Sequence, residues 1–136
     1  MAKSNAFKIA ELIRVLQYNT STDEISTTKP MSDKNTTRSD ATTTATTQIN
    51  LDTFAHATHR AARYVVAMSS AGEFHSTEIM LVHDGSAVTL TQYGTLKSSA
   101  LATFDADISG SDLRLRCTPA SATSTTIKFE RVVVDA

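Results

Sequence analysis

Near residue 50 this chain changes from a pattern with no apolar period to one that repeats every second residue. Residues 19–47 hold Thr at about two positions in five, with Pro30, scattered charges and almost no large apolar side chain apart from Ile25 and Met31. Such a stretch cannot by itself bury enough apolar surface to offset the entropy of ordering it. From residue 48 onward apolar and polar residues alternate almost to the end, the period of a strand with one face covered. The expected organisation is all-β: an antiparallel β-sandwich or jelly-roll-like domain over 48–136, an extended Thr-rich arm over 20–47, and a short amphipathic helix within 1–19.

The helix is expected over 6–18, where Ile9, Leu12, Ile13 and Leu16 fall at i, i+3, i+4 and i+7, and Ser4 or Asn5 can cap it. A helix of about three turns is marginal alone, so its apolar stripe needs a partner surface. These four residues are therefore the expected assembly interface. Thr favours extended backbone, so the arm is suited to lie across a neighbour or to add a strand to a sheet.

Strands are expected over 48–54, 62–69, 73–83, 87–93, 101–108, 113–118 and 125–134. Ala71-Gly72 and Asp84-Gly85 carry the chemistry of tight hairpin turns, and the stretches 109–112 and 119–124 read as further loops. In the strand 73–83, Ile79 and Leu81 share a face with His75 and His83, while Met80 and Val82 share the other with Phe74 and Glu78. Both faces are partly apolar, as in a central strand with one side on the core and the other on a subunit contact. Leu113, Leu115 and Cys117 alternate with Arg114 and Arg116, and Phe104, Ala106 and Ile108 alternate with Asp105 and Asp107. These outward acidic and basic sets suit cross-strand pairing.

The 136 residues carry a net charge of −1, with 13 basic and 14 acidic residues interspersed. That pattern gives no electrostatic footprint for nucleic acid or an anionic membrane. The single cysteine, Cys117, excludes an internal disulfide and sits in a core alternation. Lys3 is followed by no apolar stretch of the signal-peptide kind, and nothing approaches the roughly 20 apolar residues of a membrane span. A chain soluble where it is made is expected.

No metal or cofactor site is expected. His56 and His59 have helical spacing in a strand-rich region, and His75 and His83 stand about 27 Å apart on one strand, too far to share an ion. Asp105 and Asp107 lie side by side at about 7 Å, a spacing open to acid–base or calcium chemistry, but Arg114 and Arg116 offer them simple pairing. No nucleophile triad, phosphate loop or dinucleotide fingerprint is present. The chain is expected not to be an enzyme. For surface recognition, the candidates are Tyr64 and Tyr93 with Asp105 and Asp107, since sugar sites pair a ring face with carboxylates.

The β region also resembles a module of tailed-bacteriophage structural proteins, notably of phages of marine cyanobacteria, found toward the ends of tail-fibre-like and other virion proteins. The likeness is carried by His59-Arg60-Ala61-Ala62-Arg63-Tyr64-Val65-Val66, by Phe74-His75-Ser76-Thr77-Glu78-Ile79-Met80-Leu81-Val82-His83-Asp84-Gly85, by Thr91-Gln92-Tyr93-Gly94-Thr95, and by residues 101–108 and 119–129. It covers 53–134 and little of the first fifty residues. The resemblance implies a non-enzymatic virion building block that contacts other capsid or tail proteins and forms a homo-oligomer, with a trimer as one form. The short chain favours a capsid decoration protein or a small tail, neck or baseplate component. The alternative is a tail-fibre-like module that binds a host receptor or glycan.

Overall fold

The computed structural model describes residues 35–136 together with two strand segments, β1 (Leu16–Asn19) and β2 (Glu24–Thr27). Two compact units divide the chain, Met1–Asp33 and Lys34–Ala136. In the first, β1 and β2 pair antiparallel, with Tyr18 opposite Ile25. The helix expected over 6–18 lies, through residue 15, outside the described residues, and so do Ile9, Leu12 and Ile13. Leu16, the fourth residue of the expected stripe, opens a strand instead.

The second unit contains β3 (Thr36–Thr43), β4 (Ile49–Ala55), β5 (His59–Ser70), β6 (Glu73–His83), β7 (Val88–Lys97), β8 (Ala102–Ser109), β9 (Asp112–Pro119) and β10 (Thr125–Asp135). They form two antiparallel sheets, one of five strands in the order β3-β10-β5-β6-β7 and one of three in the order β4-β9-β8. Seven of these strands follow the expected pattern. The eighth, β3, falls inside the stretch expected to be an arm, so the ordered unit begins near residue 34 and not at 48. Its Thr-rich sequence suits an extended edge strand, and the backbone groups along its inner side pair with β10, with Asp40 opposite Lys128 and Arg38 opposite Glu130.

Alternation places one core between the sheets. Tyr64, Val66 and Met68 of β5, Ile79 and Leu81 of β6, and Ile127, Phe129 and Val133 of β10 meet Phe54 of β4 and Leu113, Leu115 and Cys117 of β9. Burial pushes the Cys117 thiol up to about 11, which keeps it an inert protonated core group. The hairpin from β5 to β6 closes in two residues, with Ala71 at φ 49° and Gly72 at φ 85°. Both central residues at positive φ match the right-handed twist of the strands they join.

Candidate functional site

One polar cluster is built into the core at the junction of four strands. Simple alternation along β4 would put Asp52 outside with Asn50, but the register shifts between Asn50 and Asp52. This bulge turns Asp52 inward beside the partly buried Leu51. There it accepts hydrogen bonds from the Tyr64 hydroxyl at 3.0 Å and from Arg131 Nη1 at 2.7 Å. Arg131 also donates to Thr37 Oγ1 at 2.9 Å, and its guanidinium lies 5.0 Å from the centre of the Phe54 ring. Only about a tenth of either charged side chain is exposed (11% and 12%), so the pair is a desolvated ion pair and a structural junction. Burial, reinforced by the Asp52 charge, pushes the Tyr64 hydroxyl far above its usual range, so it stays a donor. Tyr64 is 0% exposed and cannot present a ring face to a sugar, which corrects its expected place in surface recognition. The inward parity of Arg131, two residues beyond Phe129 and two before Val133, is a signal in the sequence that this junction exists.

The outer face of the three-stranded sheet is polar. Asp105 and Asp107 of β8 point outward opposite Arg116 and Arg114 of β9, and Asn50 and Thr53 of β4 continue the rows. Asp107 accepts from Arg114 Nε at 2.8 Å and Nη2 at 2.5 Å, and from Arg116 Nη1. The Arg114 hydrogen bonds, with a further contribution from Arg116, hold the Asp107 carboxyl below the usual range. It can accept hydrogen bonds or meet a cation, but it has no proton to give as a general acid. Asp105 is exposed, and among the described residues its side chain accepts a hydrogen bond from Gln48 Nε2 at 3.5 Å. Its lone pairs are open to donors from outside, such as sugar hydroxyls.

The outer face of the five-stranded sheet has the opposite character. Among the described residues, the exposed large apolar side chains are Val65, Phe74, Met80, Val82, Tyr93, Leu96, Val132 and Val134, and register puts them all on this face. Leu96 is 75% and Phe74 63% exposed. Two ion pairs run among them, Arg38 to Glu130 at 3.1 Å and Arg63 to Glu78 at 2.5 Å. Arg63, and after it Tyr93, holds the Glu78 carboxyl below its usual range.

The expected recognition residues are thus not brought together. Tyr93 lies on the outer face of one sheet, and Asp105 and Asp107 lie on the outer face of the other. His75 and His83 stand at opposite ends of β6 and point into the core. His83 Nε2 lies 2.7 Å from the His59 carbonyl, and its Nδ1 accepts from Gly85 N–H at 3.1 Å. Among the described residues, no group of three metal-ligating side chains converges, and no helix is long and apolar enough to cross a membrane.

No protein-family model and no curated protein matches the chain. Similar arrangements occur in solved structures of phage tailspike proteins. The tailspike of Acinetobacter phage vB_ApiP_P1 matches 74% of this chain with 21% of its own, at 16% identity and a TM-score of 0.43. That of Acinetobacter baumannii phage AM24 matches 75% with 27% of its own, at 8% identity and a TM-score of 0.39. The tailspike gp49 of Acinetobacter baumannii bacteriophage Fri1, a capsular polysaccharide depolymerase, matches 96% with 22% of its own, at 12% identity and a TM-score of 0.33. This chain therefore spans between a fifth and about a quarter of the length of the tailspikes it resembles. These neighbours are tail proteins, and one is an enzyme. The expectation that the chain is not an enzyme is withdrawn on that finding.

Proposed function

We propose that this chain is a module of a bacteriophage tail, of the tail-fibre or tailspike kind, which takes part in attachment to a glycan on the host surface. The observation that carries the reading is the segregation of its two outer faces. One gathers the exposed large apolar side chains of the described residues and suits being held in an assembly. The other is a polar array of Asp105, Asn50, Arg114 and Arg116, suited to being presented to water and to polyhydroxylated ligands. The residues that carry the resemblance to phage virion proteins supply the context, and phages of marine cyanobacteria are its finer form.

Capsular polysaccharide from the host strain is the natural probe, because the Fri1 tailspike is named for acting on it. Full-length protein is expected to bind it with a dissociation constant no weaker than about 1 mM, roughly −4 kcal/mol. Asp105→Ala together with Asn50→Ala is expected to weaken binding about tenfold, since each removes an exposed hydrogen-bonding group without touching the core. Binding is read by calorimetry, and the release of reducing ends in the same samples reports whether the chain cleaves what it binds. An absence of binding at several millimolar sugar would sink the attachment reading.

A further inference from the structure

We propose that His75 is a proton-operated latch on the connection that carries the chain from the five-stranded sheet into the three-stranded one: as a neutral imidazole it holds residues 98–101 in place, and on taking up a proton it releases them. The proposal goes beyond the attachment reading and does not rest on it. The connection runs from β7 directly into β8, which carries Asp105 and Asp107, so the latch governs how firmly the entry to the polar face is held.

The connection is pinned at both ends. Ser98 N–H donates to the Phe74 carbonyl at 2.9 Å, the Ser98 hydroxyl donates to the Glu73 carboxylate, and the Leu101 carbonyl accepts from Ala120 N–H at 2.8 Å. The Leu101 N–H is satisfied by a side chain, donating to His75 Nδ1 at 3.3 Å. That bond is buried, and losing it would strand a backbone donor in the interior.

An N–H given to Nδ1 fixes the tautomer, because Nδ1 must then offer its lone pair and the ring proton must sit on Nε2. Nε2 is buried without a hydrogen-bond partner among the described residues, and the side chain belongs to a residue that is 3% exposed. The neutral ring thus satisfies one nitrogen of two. The protonated ring would satisfy neither, since a hydrogen on Nδ1 would meet the Leu101 N–H head on.

The surroundings offer the charged ring no support. In register, His75 stands between Met68 of β5 and Lys97 of β7, with Ile127 of β10 beyond Met68. From the other sheet, Phe104 of β8 meets the ring at 6.4 Å between centres, and Cys117 of β9, opposite Phe104, is a protonated core thiol. Glu73, two residues back along β6, spends its carboxylate on the Ser98 hydroxyl. Lys97 is therefore the cation that faces the ring, and its sign is that of an imidazolium. Burial first, and Lys97 after it, hold the imidazole below its ordinary value of 6.5. The native value lies below the unfolded one, so the latch contributes fully above about 6.5 and is lost as pH falls below it.

The test is hydrogen exchange at the Leu101 amide of the full-length protein, followed by NMR from pH about 7.5 to about 5 and corrected for the intrinsic exchange rate. Protection is expected to fall at least about tenfold, in step with titration of the His75 ring followed through its carbon-bound protons, while Leu113 and Leu115 of β9 keep theirs. His75→Gln still offers an acceptor to the Leu101 N–H but cannot take up a proton, and its Leu101 protection is expected to stay level over the same range. Leu101 protection that ignores pH in the unaltered protein overturns the proposal, as does a His75 titration that the Leu101 amide does not follow; neither result depends on the variant folding. A loss shared equally by Leu113 and Leu115 overturns it as well. So does a loss that persists in folded His75→Gln, which would assign the acid response to His56, His59 and His83 at the other end of β6.

Discussion

Leu51 and Asp52 follow one another in β4, yet both lie on its inner side, because one extra residue is accommodated between Asn50 and Asp52. The side chain thus re-aimed is half of a desolvated ion pair, and it orients Tyr64 as well. Removing only the carboxylate would leave the Arg131 guanidinium uncompensated. Asp52→Ala is expected to cost about 3–5 kcal/mol, read as a lower urea midpoint, and the paired change Asp52→Leu with Arg131→Met to recover most of that loss. Asp84 is a residue of the opposite kind, exposed and locally bonded. The N–H groups of Ala87 and Ser86, and then the Ser86 hydroxyl, hold its carboxyl at about 2, against an ordinary 3.8. Its native value lies below its unfolded one, so its stabilising effect is complete above about 4 and fades as pH falls toward 2. The melting temperature is expected to fall over that window, and to fall less steeply in Asp84→Asn, whose side-chain oxygen still accepts the turn's hydrogen bonds.

At the scale of elements, the strands from β4 to β10 were legible because they alternate core-facing and outward residues, β7 only at its start, where Val88 and Leu90 pack against the core. β6 matches its expected limits, Glu73–His83, and its two faces sort as read, with Ile79 and Leu81 inside and Met80 and Val82 outside. β3 was not legible as part of the domain. Ala41 is its one apolar residue, and it is fixed by backbone pairing to β10, a partner more than 80 positions away whose identity no local pattern reveals. The hairpin between β5 and β6 shows local chemistry that can be improved. Ala71 at φ 49° sits in the left-handed region, which a side chain with Cβ enters at a cost of about 1 kcal/mol. Asn tolerates that region and with Gly72 forms the favoured turn pair, so Ala71→Asn is expected to add about 0.5–1 kcal/mol, seen as a rise of a few degrees in melting temperature.

At the scale of the whole molecule, the candidate site was legible in its parts and not in their arrangement. The outward set of Asp105 and Asp107, opposite arginines on the next strand, follows from alternation, whereas the gathering of both arginines on Asp107, with Gln48 on Asp105, does not. That Tyr93 belongs to the other layer does not, because sheet membership depends on strand order. The same order has a consequence in time. β10 is the last strand in the sequence, but it lies between β3 and β5, and it supplies Ile127, Phe129, Val133 and Arg131 to the interior. While the chain emerges from a ribosome, β3 has no neighbour, β5 keeps one open edge, and Asp52 waits without its cation. Such a sheet closes only when its final segment arrives, a non-local step of the kind that places folding in milliseconds to seconds. In that interval the vacant groove can accept the last strand of any nearby chain as readily as its own, so crowded synthesis on one message carries a built-in route to strand exchange.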